Sequence, residues 1–456
     1  MSTSPLSPKN LIFKTNNTDE KIYVREQHGV FQQIRRSLAF VLIALFILIP
    51  FIQYDNRQAI YIDLVQQQMH IFAFTLFPQD LVIFSLLLIF SAFLLFYLTH
   101  LYGRIWCGFT CPQTIWMLLF NWVERRIEGT HHQSKALDKQ ALNLNKLAKK
   151  TVKHAIWLSI SLLTALVFIS YFVPVNELYY PFFTYTLSST ATYWVVFFAV
   201  CTYINAGWIK EKMCQHMCPY SRFQSVMFDQ STKLVTYDAT RGEKRGKRKR
   251  SQEKPAGLGD CVDCDLCVQV CPVGIDIRNG LQYECINCGL CVDACNSTMT
   301  KFNYKPGLIA FTAQQLNNSN IKKHISYGVA VILTLIAMMV WAVSWQSYDV
   351  NILRDRQALY NINHAGKVEN TYLFKIRNKS ASQKRYEITL TGLHNINIVG
   401  GSIVTIQPNA LKVISITLES LQPQPKRVNN FSFNIKDTQS NTMITKESAF
   451  YSRNDG

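Results

Sequence analysis

Five stretches of this chain, residues 37–54, 81–103, 154–176, 178–209 and 324–348, contain no Asp, Glu, Lys or Arg. Each can supply the ~17–25 apolar residues with which a helix crosses a hydrocarbon core, where the backbone must satisfy its own hydrogen bonds. The pattern predicts transmembrane helices near 37–54, 81–101, 154–174, 190–209 and 325–347, and it excludes a soluble monomeric enzyme. Gly, at 19, and Pro, at 14, are too few for a collagen-like or disordered chain. The first window follows Arg35 and Arg36 with no small-residue cleavage site behind it, so it reads as a retained anchor.

A net charge of +18 would suit nucleic acid, but the distribution of the cations points to a membrane. Lys and Arg number six in 1–36, one in 55–80, nine in 102–153, none in 177–192 and seventeen in 210–323. Such alternation follows the positive-inside rule. It predicts a cytoplasmic N-terminus, cytoplasmic 102–153 and 210–323, and an external segment after 348. No nucleic-acid partner is expected. The basic run Arg241–Arg250 would suit anionic lipid or nucleic acid, but reads as a solvated juxtamembrane loop, as such runs usually are.

The windows divide the chain into a flexible N-terminus (1–36), a four-helix part (37–209), a cytoplasmic part (210–323), a fifth helix (324–348) and an outer part (349–456). A turn with Pro174 and Pro181 is expected between the third and fourth helices, and Ile115–Val123 reads as a short interfacial helix. Trp341, Trp345 and Tyr348 suit a membrane interface. Beyond 348, Tyr372–Ile376, Tyr386–Leu390, Ser402–Ile406, Lys412–Leu418 and Phe431–Ile435 alternate apolar and polar side chains between Asn, Gly, Pro and Ser clusters, which predicts a β-sandwich. No cysteine follows Cys295, so the sandwich must hold by its core alone.

Of thirteen cysteines, twelve fall into four groups that carry the chemistry. Cys261, Cys264, Cys267 and Cys271-Pro272 form C-x2-C-x2-C-x3-C-P, and Cys285, Cys288, Cys291 and Cys295 repeat the spacing with Asn296 in place of the proline. This is the bacterial two-cluster ferredoxin signature, in which the fourth cysteine of each run ligates the other cluster. One [4Fe–4S] cluster is therefore assigned to Cys261, Cys264, Cys267 and Cys295, and a second to Cys285, Cys288, Cys291 and Cys271. A zinc site would want two ligand pairs and a longer spacer, and disulfides do not suit a reducing compartment.

A second pattern is rarer. Cys107-x3-Cys111-Pro112 follows the second helix and Cys214-x3-Cys218-Pro219 follows the fourth, so both motifs are expected at one cytoplasmic depth, as in an internal repeat. Whether the four thiols make one site or two is open. Thiolates select Cu(I), zinc or iron–sulfur centres, and Met213, His216 and Met217 add weaker candidate donors. Arg104, Lys210 and Lys212 are expected to favour the thiolates. Cys201 reads as a small buried hydrophobe. No C-x-x-C-H, Walker A, dinucleotide fingerprint or nucleophile elbow is present, so covalent haem, a hydrolase and a nucleotide-driven pump lack support.

These motifs, with Gly103–Thr114, Glu124–Gly129, Met217–Gln224, Tyr237–Gly246 and Asp276–Cys288, resemble the cytochrome c oxidase accessory protein family CcoG, also called FixG or RdxA, from about residue 37 to the end. The resemblance implies a bacterial inner-membrane protein with five transmembrane helices, a cytoplasmic two-cluster ferredoxin domain and a periplasmic immunoglobulin-like sandwich. It further implies a cupric reductase that converts Cu(II) to Cu(I) for assembly of cbb3-type cytochrome c oxidase. Cys107, Cys111, Cys214 and Cys218 would be its catalytic, copper-handling thiols. Implied partners are cbb3-type oxidase subunits or copper-delivery proteins, an unnamed electron donor, membrane lipid and a second copy of the chain. The competing readings are a NapH- or NosR-like relay from quinol to a partner reductase, and a scaffold or copper chaperone whose clusters only stabilise the fold. The fifth helix and outer sandwich favour the first reading.

Overall fold

A computed structural model describes residues 21–452, apart from 55–56, 73, 230, 251–253, 314–317, 356–357, 381, 423 and 425. The chain forms two compact units, one of residues 1–61 with 82–339 and one of residues 62–81 with 340–456.

Helices in chain order are α1 (Val30–Leu48), α2 (Leu81–Tyr102), α3 (Ile105–Phe109), α4 (Pro112–Glu128), α5 (His131–Lys139), α6 (Leu144–Ile169), α7 (Val175–Phe183), α8 (Ser189–Thr202), α9 (Pro219–Val226), α10 (Ala239–Gly242), α11 (Leu266–Gln269), α12 (Leu290–Lys301) and α13 (Asn318–Ser344). Five of the described helical spans are long and apolar enough to cross a membrane, beginning at Val30, Leu81, Leu144, Ser189 and Ile321. Several boundaries differ from those expected. Helix α1 begins at Val30 rather than near 37, because Asp293 of α12 accepts the backbone N–H groups of Phe31 (3.3 Å) and Gln32 (3.0 Å) and caps it from outside. Helix α6 begins at Leu144, where the Asn143 side chain accepts from Lys146 N at 2.7 Å, and so takes in Lys146, Lys149, Lys150 and Lys153. The expected Pro174–Pro181 turn contains helix α7. Helix α4 extends beyond Ile115–Val123 in both directions and buries Phe120 and Val123 against Trp157 and Ala206.

The N-terminal segment is described from Lys21 onward and, in that part, is tied down rather than flexible. Lys21 Nζ lies 2.7 Å from Glu124 Oε1, and Tyr23 OH donates to Asp138 at 2.7 Å. Cys201 is exposed on α8, not buried. In the ferredoxin part, β6 (Leu234–Tyr237) pairs antiparallel with β7 (Ile309–Thr312) and closes a core of Val235, Ile277, Val292, Met299 and Leu308. The basic run is not wholly solvated. Arg241 Nε donates to Asp260 at 2.6 Å, and Arg248 donates to Tyr304 OH at 3.0 Å and to the Gly259 carbonyl at 2.9 Å.

The second unit is a sandwich of antiparallel sheets. One runs β12 (Ile396–Val399), β14 (Leu411–Ser420), β10 (Val368–Asn378), β8 (Tyr348–Arg354), with β9 (Asn361–Ile362) on β10; the other runs β13 (Ile403–Ile406), β11 (Lys384–Thr391), β15 (Val428–Asp437), β16 (Met443–Tyr451). Tyr372, Phe374, Ile376, Tyr386, Ile388, Phe433, Ile435 and Phe450 are fully buried between the sheets. Burying one such side chain contributes about 1.5–3 kcal/mol, which is how the sandwich stands without a disulfide. Tyr348, expected at a membrane interface, is 1% exposed in this core and donates to the Ile435 carbonyl at 2.7 Å. Residues 62–81 also belong here. They include the hairpin β4 (Gln68–Ile71) and β5 (Phe74–Leu76), and Asp80 pairs with the buried Lys379 at 2.7 Å.

Candidate iron–sulfur and thiol sites

The two ferredoxin runs fold alike. Asp263 and Asp265 flank Cys264 with φ of 51° and 55°, and Asn287 and Gly289 flank Cys288 with φ of 54° and 74°. Asp, Asn and Gly tolerate this left-handed backbone best, and it curls each C-x2-C-x2-C segment so that its three thiols face inward. Helices α11 and α12 follow directly and carry Cys267, Cys291 and Cys295. Cys261, Cys264, Cys267 and Cys295 line one cavity, walled by Tyr237, Leu308 and Ile309. Cys271, Cys285, Cys288 and Cys291 line a second, walled by Val273, Ile275 and Ile277, with Cys267 at its edge. Four thiols around an apolar hollow are the donor set of a [4Fe–4S] cluster, so the residues fit the group. Burial pushes Cys267, Cys271 and Cys295 up to about 12 and Cys285 to about 11, so holding a cluster requires their protons to leave.

Arg278 is a residue that sequence reasoning missed. Its side chain is 7% exposed and bonds Asp263, Asp265 and Asp276, each at 2.7 Å, clamping the first loop. The available signal was a lone arginine with three aspartates in the fifteen residues before it.

The C-x3-C-P motifs also share one local geometry. Cys111 N donates to Trp106 O at 2.9 Å and Cys218 N to Met213 O at 2.9 Å, so each motif closes with an i→i+5 bond rather than a plain α-turn. Residues Tyr203–Ile209 and Met213–Met217 are π-helical. The prolines explain the break. A residue before proline avoids the helical region, so Cys111 (ψ 130°) and Cys218 (ψ 110°) turn outward, and Pro112 and Pro219 each start a new helix.

Cys107, Cys111, Cys214 and Cys218 are half-buried, and the nearby thiols add to the raised proton affinity of Cys107, Cys111 and Cys214. Burial is the largest influence and pushes Cys107 and Cys214 up to about 12, with Arg104 pulling the other way. The expected thiolate stabilisation is thus outweighed. Arg104 reaches Ser221 O and stacks on Tyr283 at 4.7 Å, and Lys210 Nζ bonds Glu124 (2.7 Å) and Asn121 (3.0 Å). His216 and Met217 are exposed and Met213 is half-buried. Among the described residues, no three His, Cys, Asp or Glu side chains converge closely enough to hold a single metal ion. A cavity of about 80 Å³ opens beside Cys214, lined also by Glu124, Glu211, Val273 and Ile286. Cys107 packs in the same apolar group as Cys271, Cys285 and Cys288.

Comparison with known proteins gives the wider setting. Residues 209–314 match a 4Fe–4S dicluster domain, residues 82–130 a 4Fe–4S binding domain, and residues 338–453 the immunoglobulin-like fold at the C-terminus of FixG. The chain is 32% identical over 416 residues to the nitrogen fixation protein FixG of Rhizobium meliloti, covering 82% of this chain and 79% of that protein. It is 32% identical over 429 residues to protein RdxA of Cereibacter sphaeroides, covering 88% and 89%, and 32% identical over 391 residues to RdxB of the same organism, covering 82% of each. With apolar helices, a dicluster ferredoxin domain and an immunoglobulin-like sandwich in one chain, this protein belongs to the FixG/RdxA family.

Proposed function

We propose that this membrane iron–sulfur oxidoreductase reduces Cu(II) to Cu(I) for insertion into a cbb3-type cytochrome c oxidase. The observation that carries the reading is that Cys107 packs on the same apolar group as Cys271, Cys285 and Cys288, with Cys111, Cys214 and Cys218 near it. Electrons held by the ferredoxin part thus have a sulfur-rich destination. Cu(II) favours nitrogen and oxygen donors while Cu(I) favours sulfur, so thiols that receive copper bias it toward the reduced ion. Each Cu(II) takes up one electron, and the half-buried thiols give up protons as they bind the product. The cavity beside Cys214, with Glu124 and Glu211 in its wall, is the route of approach.

The alternation of Lys and Arg supports placing the N-terminus and clusters in the cytoplasm, and the sandwich in the periplasm, of a bacterial inner membrane. Oxidase subunits or copper-delivery proteins would take the Cu(I). The test is anaerobic mixing of purified, dithionite-reduced protein with Cu(II) and a Cu(I)-specific chelator. Cu(I) should form in proportion to cluster oxidation. Clusters that stay reduced in excess Cu(II) but discharge to a quinone would replace this reading with the quinol-linked relay.

A further inference from the structure

Gly108 follows Cys107 in the middle of α3 with a backbone that any residue could adopt. What it provides is room. A Cβ at Gly108 would stand 2.7 Å from the Ile286 carbonyl oxygen, 3.0 Å from Cys288 Cα and 3.2 Å from Cys288 N. These are backbone atoms of the second cluster's binding loop and cannot rotate aside. The seat is braced on both sides. Arg35, 2% exposed, donates from Nε to the Gly108 carbonyl at 2.8 Å. Asn287, also 2% exposed, donates to the Tyr102 and Lys233 carbonyls at 2.7 and 3.2 Å and accepts from Val235 N at 2.8 Å. The first binding loop differs, because Cys264 is exposed and the side chain of Asp265 is 50% exposed.

We infer that Gly108, braced by Asn287, is a positioning residue that seats the Cys107 loop on the second cluster, so that electrons enter the ferredoxin part at the open edge around Cys264 and leave through the second site. This rests on the reading of Cys107 and its neighbours as the place where copper is reduced. One electron passes per Cu(II), which becomes Cu(I); no bond is made or broken in that step, and dithionite supplies the electron in the assay.

The test uses the full-length protein with Gly108→Ala, Asn287→Ala and, as a control, Gly328→Ala, where a Cβ meets nothing within 4 Å. Iron content and the reduction potential of each cluster, titrated by EPR, should match wild type in Gly328→Ala and are measured in the other two, so that rates are compared only between fully loaded proteins. Freeze-quench EPR after mixing with Cu(II) should then show the second cluster discharging several-fold more slowly in Gly108→Ala, because electron transfer slows as the donor and the Cys107 loop move apart. Gly328→Ala should discharge normally. A fully loaded Gly108→Ala protein that discharges at the wild-type rate overturns the inference. If that variant fails to load iron, Asn287→Ala, which adds no atom to the seat, is judged by the same criterion, and failure of both to load reduces the seat to a purely structural role. If wild type itself passes no electrons to copper, the copper reading fails separately. The seat is then judged by maleimide labelling of Cys107, which should be faster in Gly108→Ala; unchanged labelling overturns it.

Discussion

The thiol of Cys107 donates to Oε1 of Gln224 across 3.1 Å, joining residues 117 apart in sequence. Gln224 is fully buried, and its Nε2 donates to Thr99 Oγ1 at 3.1 Å. One amide on α9, the helix that follows the second C-x3-C-P motif, therefore braces the first. Replacing Gln224 with Leu leaves a buried hydroxyl and thiol without this partner, a loss of about 1–3 kcal/mol. The variant should unfold at lower temperature in detergent by scanning calorimetry and label faster at Cys107, with iron content unchanged. Labelling at the wild-type rate would show that the brace does not hold the thiol.

The ferredoxin part should carry about eight irons per chain, two complete [4Fe–4S] ligand sets. Cys264→Ser should remove chiefly the first cluster and Cys288→Ser chiefly the second, each leaving roughly half the iron, with loosening of the other site because Cys271 and Cys295 cross between loops. Elemental analysis of anaerobically purified protein decides this. Stoichiometric zinc in place of iron would refute the assignment.

Arg278→Ala should act on the first site alone. Three aspartates converge on this guanidinium, and without it their charges repel across the loop that bears Cys264 and Cys267. Asp265 is half exposed, so the loss falls toward the low end of the ~1.5–3 kcal/mol of a charged hydrogen bond. EPR should show the first cluster lost on mild heating while the second persists. Equal loss of both would place the clamp's effect on the whole domain.

Local signals were legible in the sequence and long-range ones were not. The cysteine spacings sufficed to group the ferredoxin ligands because three of each four lie on one tight loop, and the charge-free windows located the membrane helices because a bilayer tolerates little else. The start of α1 was misjudged because its cap, Asp293, lies 262 positions from Phe31. Tyr348 reads as an interface anchor because it follows Trp341 and Trp345 at the end of an apolar window, and nothing in that grouping tells a membrane edge from the start of the buried strand β8. Nothing local marks Gln224, Asn287 or Gly108, whose roles arise only where distant backbones meet.

Glu124 lies among cations: Lys21 and Lys210 at 2.7 Å and Lys153 at 3.7 Å. Burial alone would raise its pKa, but the three lysines prevail and bring it down to about 2 from the usual 4.5. A carboxylate depressed in the folded state stabilises fully above its unfolded value and loses that contribution as pH falls from about 4.5 toward 2. Glu124→Gln removes the carboxylate that Lys21, Lys153 and Lys210 share, while Lys21 keeps Asp138 at 3.1 Å and Lys153 keeps Glu128 at 2.8 Å, so the change costs about 1–3 kcal/mol. It should free the segment at Lys21 to proteolysis at neutral pH and flatten the acid dependence of that release between pH 4.5 and 2. An unchanged cleavage rate at Lys21 would show that the network does not anchor the N-terminal segment.

The orientation of the chain is open to direct test. Seventeen Lys and Arg lie in 210–323 and none in 177–192, and cations near helix ends are retained on the cytoplasmic side. Alkaline phosphatase, which is active only after export, should be active when fused to the C-terminus, beyond the sandwich, and inactive when fused to the N-terminus. An odd number of crossings requires the two termini to differ, so the pair of fusions tests that the number of spans is odd, as five is, as well as their direction. Activity at both ends would mean an even number of crossings, and activity only at the N-terminus would invert the topology. Inversion would move Cys107, Cys214 and the cluster ligands to an oxidising compartment, where paired free thiols are prone to form disulfides, and would remove the basis for reducing copper there.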